Sequence, residues 1–432
     1  MCRGPSARKL ILLLFALLLS PRAAAAEALD SLLARPALEV GLLERAVLER
    51  NPSLAAMRSA WQAAEAAADR EGALEDPMLD FSTAPRTWSS DMVDPTYMVS
   101  LRQRFPIFGQ RGLMRRAGRA MARAAGEDVS TERVALLRET RALFGEYYRN
   151  ARGRDVNREL KLLVADMRRT ALAKYEAGIV GLADVLQAEV EIAMLDHDEV
   201  ALERDRRTLV AMLNALVRRD ATAPLPAPGT ELLLRATPLR ADSAVALARA
   251  QRPELRGLDA MRDARDAERT LADRQRLPEF EFQVRYDGFM AESEMRPQVG
   301  VGLNLPIMFG RIGAARREAR ARLDETEWRR SALLARVDAE AAAAAARVEE
   351  IQHELMIVEG RVVPATEQAL NAARASYEAN RGEFVTLLNA ERDLARARLS
   401  LYETRARYFD AVAELDRAVG AGASEGREEG TR

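Results

Sequence analysis

The sequence predicts a mainly α-helical fold with a β-barrel portion. Three observations lead to it: an internal duplication, long helical segments and four short alternating strands. The chain has 432 residues, and its landmarks recur about 200 residues apart. Pro52 and Pro253 are separated by 201 positions, as are Pro77 and Pro278. A constant period of this kind indicates two copies of one helix–strand–strand–helix unit.

Further matches keep this register and set the expected boundaries. Residues 105–111 match 305–311, and the Tyr-Glu-Ala-Gly segment at 175–178 matches Tyr-Glu-Ala-Asn at 377–380. The expected organisation is a signal peptide at 1–26, a first repeat at 27–220 with strands near 76–106, a linker at 221–241, a second repeat at 242–419 with strands near 278–308, and a disordered tail at 420–432.

The first 26 residues have the features of a secretory signal peptide. Arg3, Arg8 and Lys9 precede an apolar run of ten residues at 10–19, and small residues follow it. The run is too short to cross a bilayer as a helix. Cys2 is the only cysteine, so we expect the mature chain to lack disulfides, thiol chemistry and a cysteine-linked lipid. The protein is therefore expected to be periplasmic, secreted or embedded in an outer membrane.

Composition argues against nucleic acid as a partner. The net charge is −1 with 30% charged residues, so both signs are interleaved and no concentrated basic face is expected. Aromatic residues make up only 5% of the chain. Few aromatics and abundant alanine suit long, slender helices packed side by side in a coiled coil.

Long segments rich in Ala, Leu, Arg and Glu, of which 112–148 contains no proline, predict the helices. Apolar residues recur along them at helical spacing. The predicted helices are 112–148, 157–177 and 183–219 in the first repeat, and 243–275, 312–353, 364–378 and 384–419 in the second.

Four segments alternate with a period of two, which predicts β-strands. They are 78–83, 97–105, 280–287 and 298–305. One face of each is apolar and the other is polar or small, which is the pattern of a membrane β-barrel with a wet interior. A half-buried strand in a soluble sheet gives the same pattern, but the hairpin pairing and the export signal favour the membrane.

Four strands cannot close a barrel, because the smallest outer-membrane barrels have about eight. An open sheet edge in lipid would leave backbone groups without partners. Three copies would supply 3 × 4 = 12 strands, an even number that can close. A helix of about 40 residues is roughly 60 Å long, so such helices could cross part of the periplasm.

The chain resembles the TolC family of outer-membrane efflux proteins over residues 40–420. The resemblance rests on Asn-Pro-Ser-Leu at 51–54, Pro-Ile-Phe-Gly-Gln-Arg at 106–111 and the twinned Tyr-Glu-Ala motifs. It implies a homotrimer with a shared 12-stranded outer-membrane β-barrel above a periplasmic α-barrel of long antiparallel helices. It also implies an equatorial collar, here at 27–48, 183–241 and 384–419.

The resemblance further implies the exit duct of a tripartite pump, docked on a periplasmic adaptor that joins an inner-membrane transporter. The Asp-Pro-Met segment at 76–78 is similar to heavy-metal exporters of the family. Alternatives are the outer-membrane arm of a type I protein-secretion or drug-efflux system. A soluble periplasmic coiled-coil scaffold explains the helices but leaves the four strands unexplained.

The sequence contains no catalytic constellation, cofactor motif or metal-ligand spacing, so we expect no enzyme. His197 and His353 are far apart and lack carboxylate or cysteine partners at ligand spacing. No phosphate-binding glycine loop is present. Thioethers bind Cu(I), but the methionines around the hairpins are better explained by lipid-facing or loop positions. These are Met78, Met92, Met98, Met290, Met295 and Met308.

Each long helix must turn and return, and the turns are where a gate and an adaptor contact are expected. Asn150 and Gly153 weaken the first long helix. We therefore predict a turn at 151–154, and the repeat offset places its counterpart at 353–355. The gate candidates are Arg152, Gly153, Arg154, Asp155, His353 and Glu354.

Overall fold

A computed structural model describes residues 35–85, 96–106, 108–232, 234, 239–290 and 292–423. The predicted signal peptide, Met92 and most of the predicted tail lie outside the described residues. The chain forms two compact units, each built from segments of both repeats. The helical unit comprises the described residues of Met1–Leu54, Arg133–Gln251 and Ala339–Gly422, and the sheet unit those of Ala55–Glu132, Arg252–Asp338 and Ala423–Arg432.

Helices and strands follow one another in the predicted order. The described chain also contains a 3-10 turn at Ser293–Met295 and a π-helical segment at Val358–Val362. The elements are α1 (Val40–Arg50), α2 (Pro52–Glu71), β1 (Met78–Thr83), β2 (Tyr97–Phe105), α3 (Gln110–Glu176), α4 (Leu182–Leu216), α5 (Ala241–Gln251), α6 (Pro253–Arg274), β3 (Glu279–Asp287), β4 (Pro297–Asn304), α7 (Phe309–Ile357), α8 (Val363–Glu378) and α9 (Phe384–Val419).

All four predicted strands are present within one residue of their predicted limits. They form one antiparallel sheet in the order β1-β2-β3-β4. The hairpins of the two repeats meet where β2 pairs with β3, with Leu101 opposite Val284. β1 and β4 are the two edges of the sheet.

Three predicted helix boundaries are wrong. The predicted helices 312–353 and 364–378 belong to one continuous helical run, in which the π-helical segment joins α7 to α8. The predicted helices 112–148 and 157–177 are one helix, α3. The predicted helix 243–275 is divided at Arg252, where the backbone is extended at ψ 118°. Pro253 explains this division, because a proline disfavours the helical conformation in the residue before it.

The helical unit has a core of apolar side chains from α3, α4, α8 and α9. On α3, Val156, Leu160, Val164, Met167 and Ala171 enter it at intervals of three or four residues. This spacing is typical of coiled coils, in which one apolar stripe per helix faces the partners. Among the described residues, no helix combines the length and the apolar character needed to cross a membrane.

Candidate functional site: the paired helix turns and the exposed sheet face

The predicted turns at 151–154 and 353–355 are wrong, because both segments lie inside continuous helices. Arg152, Gly153, Arg154 and Asp155 are in α3, and His353 and Glu354 are in α7.

The residues thought to weaken α3 make contacts between helices instead. The Asn150 side chain donates a hydrogen bond to the carbonyl oxygen of Leu202 at 2.9 Å. A Cβ added to Gly153 would lie 3.5 Å from Leu202 and 3.8 Å from Leu399. Tertiary packing therefore overrides the weak helix propensity of both residues.

Most of the charged gate candidates form ion pairs within the helical unit. Arg152 pairs with Asp155 at 3.0 Å, and Arg154 reaches Glu203 on α4 at 3.3 Å. Glu354 pairs with Arg407 on α9 at 2.8 Å. His353 is exposed. Their role in a gate stays a prediction, and it no longer has a turn to support it.

Glu203 is the most strongly perturbed carboxylate in this region. A hydrogen bond from Arg206 lowers the pKa of Glu203 to about 2, and Arg207 and Arg154 act in the same direction. Because the pKa is depressed in the folded state, the stabilisation is present above the unfolded value near 4.5 and is lost as the pH falls through about 2.

We therefore expect Glu203→Gln to lower the free energy of unfolding by about 1 kcal/mol at neutral pH. Its difference from wild type should shrink as the pH falls from about 4.5 towards 2. Thermal unfolding across this pH range measures both effects. Glu199→Gln on the same helix is the control, because the Glu199 side chain is 57% exposed and forms its ion pair with Lys161. Equal losses in the two variants, or a constant difference across the pH range, would contradict the prediction.

The long helices turn at 177–181 and 379–383, directly after the twinned Tyr-Glu-Ala motifs. Gly178 has a left-handed φ of +72° and Asn380 one of +55°. In the first turn, the amide of Ile179 bonds the carbonyl of Lys174 at 2.8 Å, and in the second Arg381 bonds Ser376 at 3.0 Å. Both turns are Schellman motifs, in which a left-handed residue lets the last helix carbonyls accept hydrogen bonds.

Lys174 joins the two turns. Its ammonium donates to the carbonyl oxygen of Tyr377 at 3.0 Å and to the side-chain oxygen of Asn380 at 2.9 Å. The same group lies 3.9 Å from the centre of the Tyr377 ring, a cation–π contact. We call residues 174–182 and 376–384 the paired turns.

Both turns lie at predicted breaks between helices, after residues 177 and 378, and both carry a capping signal in the sequence. A Gly or Asn after a helical run marks a C-terminal cap. Gly178 and Asn380 stand at matched positions of the repeated motif, 202 residues apart. That signal is more specific than the low helix propensity of Asn150.

Gly178→Asn should be tolerated, since the second repeat has asparagine at this left-handed position. Gly178→Val should cost about 1–2 kcal/mol of stability, because a β-branched residue is strained there. A Cβ at Gly178 meets no atom within 4 Å, so the cost reports backbone conformation alone. Thermal unfolding and protease cleavage at 177–181 measure it, and equal stability of the two variants would contradict the assignment.

The sheet has an exposed apolar face that spans all four strands. One row across it contains Leu79, Leu101, Val284 and Val299, which are 47–70% exposed. The opposite face is polar: Arg102 donates to Asp80 at 2.7 Å, and Arg285 bonds Gln298 at 3.1 Å. An apolar face of this extent is unusual on a water-soluble surface.

The described residues contain no cluster of three or more His, Cys, Asp or Glu suited to a metal ion. Met78 is a poor candidate for a soft cation. Its sulfur lies 3.5 Å from the Arg102 guanidinium, which donates to it. A fixed positive charge at that distance opposes the approach of a cation.

Solved structures define the class of protein. The fold is similar to VceC of Vibrio cholerae, an outer membrane protein, with a TM-score of 0.73 and 18% identity over 89% of this chain and 97% of that one. It is also similar to CusC, with a TM-score of 0.76 and 18% identity over 89% and 92%. The CmeC outer membrane channel of Campylobacter jejuni has a TM-score of 0.74 and 14% identity over 90% and 88%. The chain therefore has the TolC-like channel fold.

The family follows from the sequence. The model of the outer membrane efflux protein family matches residues 43–217 and 244–421. The chain belongs to this family, which places it in the outer membrane. No curated protein matches the chain.

Proposed function

We propose that three copies of this chain form the exit duct of a tripartite efflux pump. The duct conducts substrate passively from an inner-membrane transporter and a periplasmic adaptor to the exterior. The observation that carries the proposal is the four-stranded sheet with an exposed apolar face and two edges.

The trimer follows from closing the sheet. In lipid, the backbone groups at the edges of β1 and β4 need partners, at several kcal/mol each. Pairing β4 of one copy with β1 of the next satisfies both edges. Three sheets of four strands give a closed barrel of twelve.

The paired turns are the proposed adaptor contact. They lie where α3 and α8 end and the chain returns, so they form one end of the helical unit. Lys174 holds the two repeats together at this end.

Heavy-metal cations are the proposed substrate class, supported by the likeness of residues 76–78 to metal exporters. Met78 itself is not proposed as a ligand, because of its contact with Arg102. Deletion of the gene should sensitise cells to copper, zinc or cobalt salts more than to drugs. Sensitivity to drugs alone, or a defect in secretion of a protein, would assign the duct to another substrate.

Fractionation, cross-linking and conductance test the duct. The protein should be recovered in the outer membrane, cross-link as a trimer and conduct ions in planar bilayers. Recovery in the soluble periplasm would favour a coiled-coil scaffold and end the proposal.

The gate is tested separately. If Arg152 and Glu354 close the duct, the Arg152→Ala, Glu354→Ala variant should conduct more than wild type. If it conducts no better, these residues are not the gate.

A further inference from the structure

We infer that the chain carries a second lipid-binding surface, specific for anionic phospholipid headgroups, where the sheet joins the long helices. This inference rests on the proposed position of the sheet in the membrane. The junction surface consists of an apolar loop and arginines from the starts of α3 and α7. The arginines are Arg115, Arg116, Arg119, Arg316, Arg317 and Arg320, all exposed.

The arginines are concentrated at these two helix starts. Residues 109–123 contain five arginines and no acidic residue, whereas the whole chain has a net charge of −1. Residues 309–322 contain five arginines and one glutamate. The N-terminal part of a helix offers positive charge no stabilisation from the helix dipole, so the dipole does not explain this placement.

The arginines follow the internal duplication. Arg115 and Arg316, Arg116 and Arg317, and Arg119 and Arg320 are each 201 positions apart. This is the same offset as that of the paired prolines Pro52 and Pro253, so each repeat carries one copy of the cluster. A trimer would repeat the cluster six times around the barrel.

Both helix starts lie beside the end of α6 in the sheet unit. Arg274 donates to the carbonyl oxygen of Phe108, just before α3, at 2.6 Å. Arg316 on α7 contacts Asp273 at 2.5 Å. Within the described chain, Arg116, Arg119, Arg317 and Arg320 have no carboxylate partner. Their charges are therefore available to an external anion.

An apolar loop follows the sheet directly before the arginines of α7. Leu305, Ile307 and Met308, together with Phe309 at the first position of α7, are 61–78% exposed. They come just after Leu303 of β4, which pairs with Phe280, and the Phe280 ring lies 6.4 Å from that of Phe108. The exposed apolar face of the sheet thus continues into an apolar loop and then into arginines.

This order matches a membrane surface: apolar side chains in the hydrocarbon, then cations at the phosphates. The long arginine side chains can extend their charged ends to headgroups while their stems stay against apolar surface. A guanidinium also binds phosphate oxygens in a bidentate manner. Arginines lining the duct interior would not need an exposed apolar loop beside them.

The test measures lipid retention by the detergent-solubilised full chain. Native mass spectrometry counts dioleoylphosphatidylglycerol and dioleoylphosphatidylethanolamine bound per oligomer. Wild type should prefer the anionic lipid by at least about tenfold, and the preference should weaken at high salt. Replacing the six arginines by glutamine should abolish the preference, and replacing them by lysine should keep most of it.

A matched control removes equal charge elsewhere. Arg158, Arg169, Arg204, Arg207, Arg329 and Arg396 have side chains 62–76% exposed. Glutamine at these positions should leave the lipid preference unchanged. The inference would be overturned if this control lost the preference for anionic lipid, or if the variant with the six junction arginines replaced by glutamine kept it.

Two further readouts separate the alternatives. Displacement of the lipid by soluble glycerol 3-phosphate at equal concentration would mean that phosphate alone is recognised, and would overturn the lipid assignment. If the variant with the six arginines replaced by glutamine changed the ion selectivity of conductance but kept the lipid preference, the arginines would line the duct. That result would also overturn the inference. A wild-type chain that forms no membrane oligomer contradicts the duct itself, whereas an oligomer without lipid preference contradicts only this inference.

Discussion

Val301→Arg is expected to remove most of the protein from the outer membrane. Val301 lies in the middle of β4 on the apolar face and is 69% exposed. In water, arginine at an exposed strand position costs little. In lipid, an outward-facing arginine near the bilayer centre costs about 2–4 kcal/mol per chain, and a trimer would bear it three times. Membrane fractionation and trimer cross-linking measure the loss.

The neighbouring residue provides the control. Gly302 lies on the polar face, opposite Glu281, and a Cβ there meets Glu281 at an ordinary 3.4 Å. Gly302→Arg introduces the same side chain beside a carboxylate, so it should fractionate as wild type does. If both variants behave like wild type, the apolar face of the sheet does not face lipid, and the duct proposal loses its main support.

The strands were predictable because alternation depends only on which face of a strand each side chain occupies. β1 and β2 have the predicted limits, 78–83 and 97–105. Their assembly was not predictable from the pattern. The pairing of β2 with β3 joins residues such as Leu101 and Val284, which are far apart in sequence and belong to different repeats.

The turns predicted at 151–154 and 353–355 are wrong because packing overrides weak local helix propensity, whereas the helix breaks predicted after residues 177 and 378 are correct. Asn150 and Gly153 disfavour an isolated helix, but contacts to Leu202 and Leu399 hold them in one. Gly178 and Asn380 cap their helices in the left-handed conformation, which Gly and Asn adopt more readily than other residues. The residue type at these two positions is therefore a direct sequence signal for the caps. Lys174, in the first repeat, contacts Tyr377 and Asn380 in the second; this contact depends on the fold and has no signal in the sequence.

The two copies of the Tyr-Glu-Ala motif look alike in sequence but differ in burial, which a substitution can measure. Tyr377 is 5% exposed, whereas Tyr175 is 42% exposed. The Tyr377 ring packs against Phe384 at 5.9 Å and beneath the ammonium of Lys174. Tyr377→Ala should therefore lower the free energy of unfolding by about 3–5 kcal/mol, as for other buried aromatic residues.

Tyr377→Phe removes only the hydroxyl and so distinguishes its contribution to stability from that of the ring. The Tyr377 hydroxyl is buried and has no hydrogen-bond partner within the described chain, and burial raises its pKa. Removing a buried, unsatisfied hydroxyl is expected to be neutral or stabilising by up to about 1 kcal/mol. Hydrogen exchange over α8 and the start of α9 should be faster than wild type in Tyr377→Ala and no faster than wild type in Tyr377→Phe.

Tyr175→Ala is the matched substitution in the first repeat. Within one chain it should change stability by about 0.5 kcal/mol or less, because surface positions tolerate truncation. In a ring of three copies, the first repeat of each chain would adjoin the second repeat of its neighbour. Tyr175 would then be covered by a partner, and Tyr175→Ala should weaken the trimer while leaving exchange over α8 unchanged. Equal effects of Tyr175→Ala and Tyr377→Ala on exchange over α8 would contradict the difference in burial between the two turns.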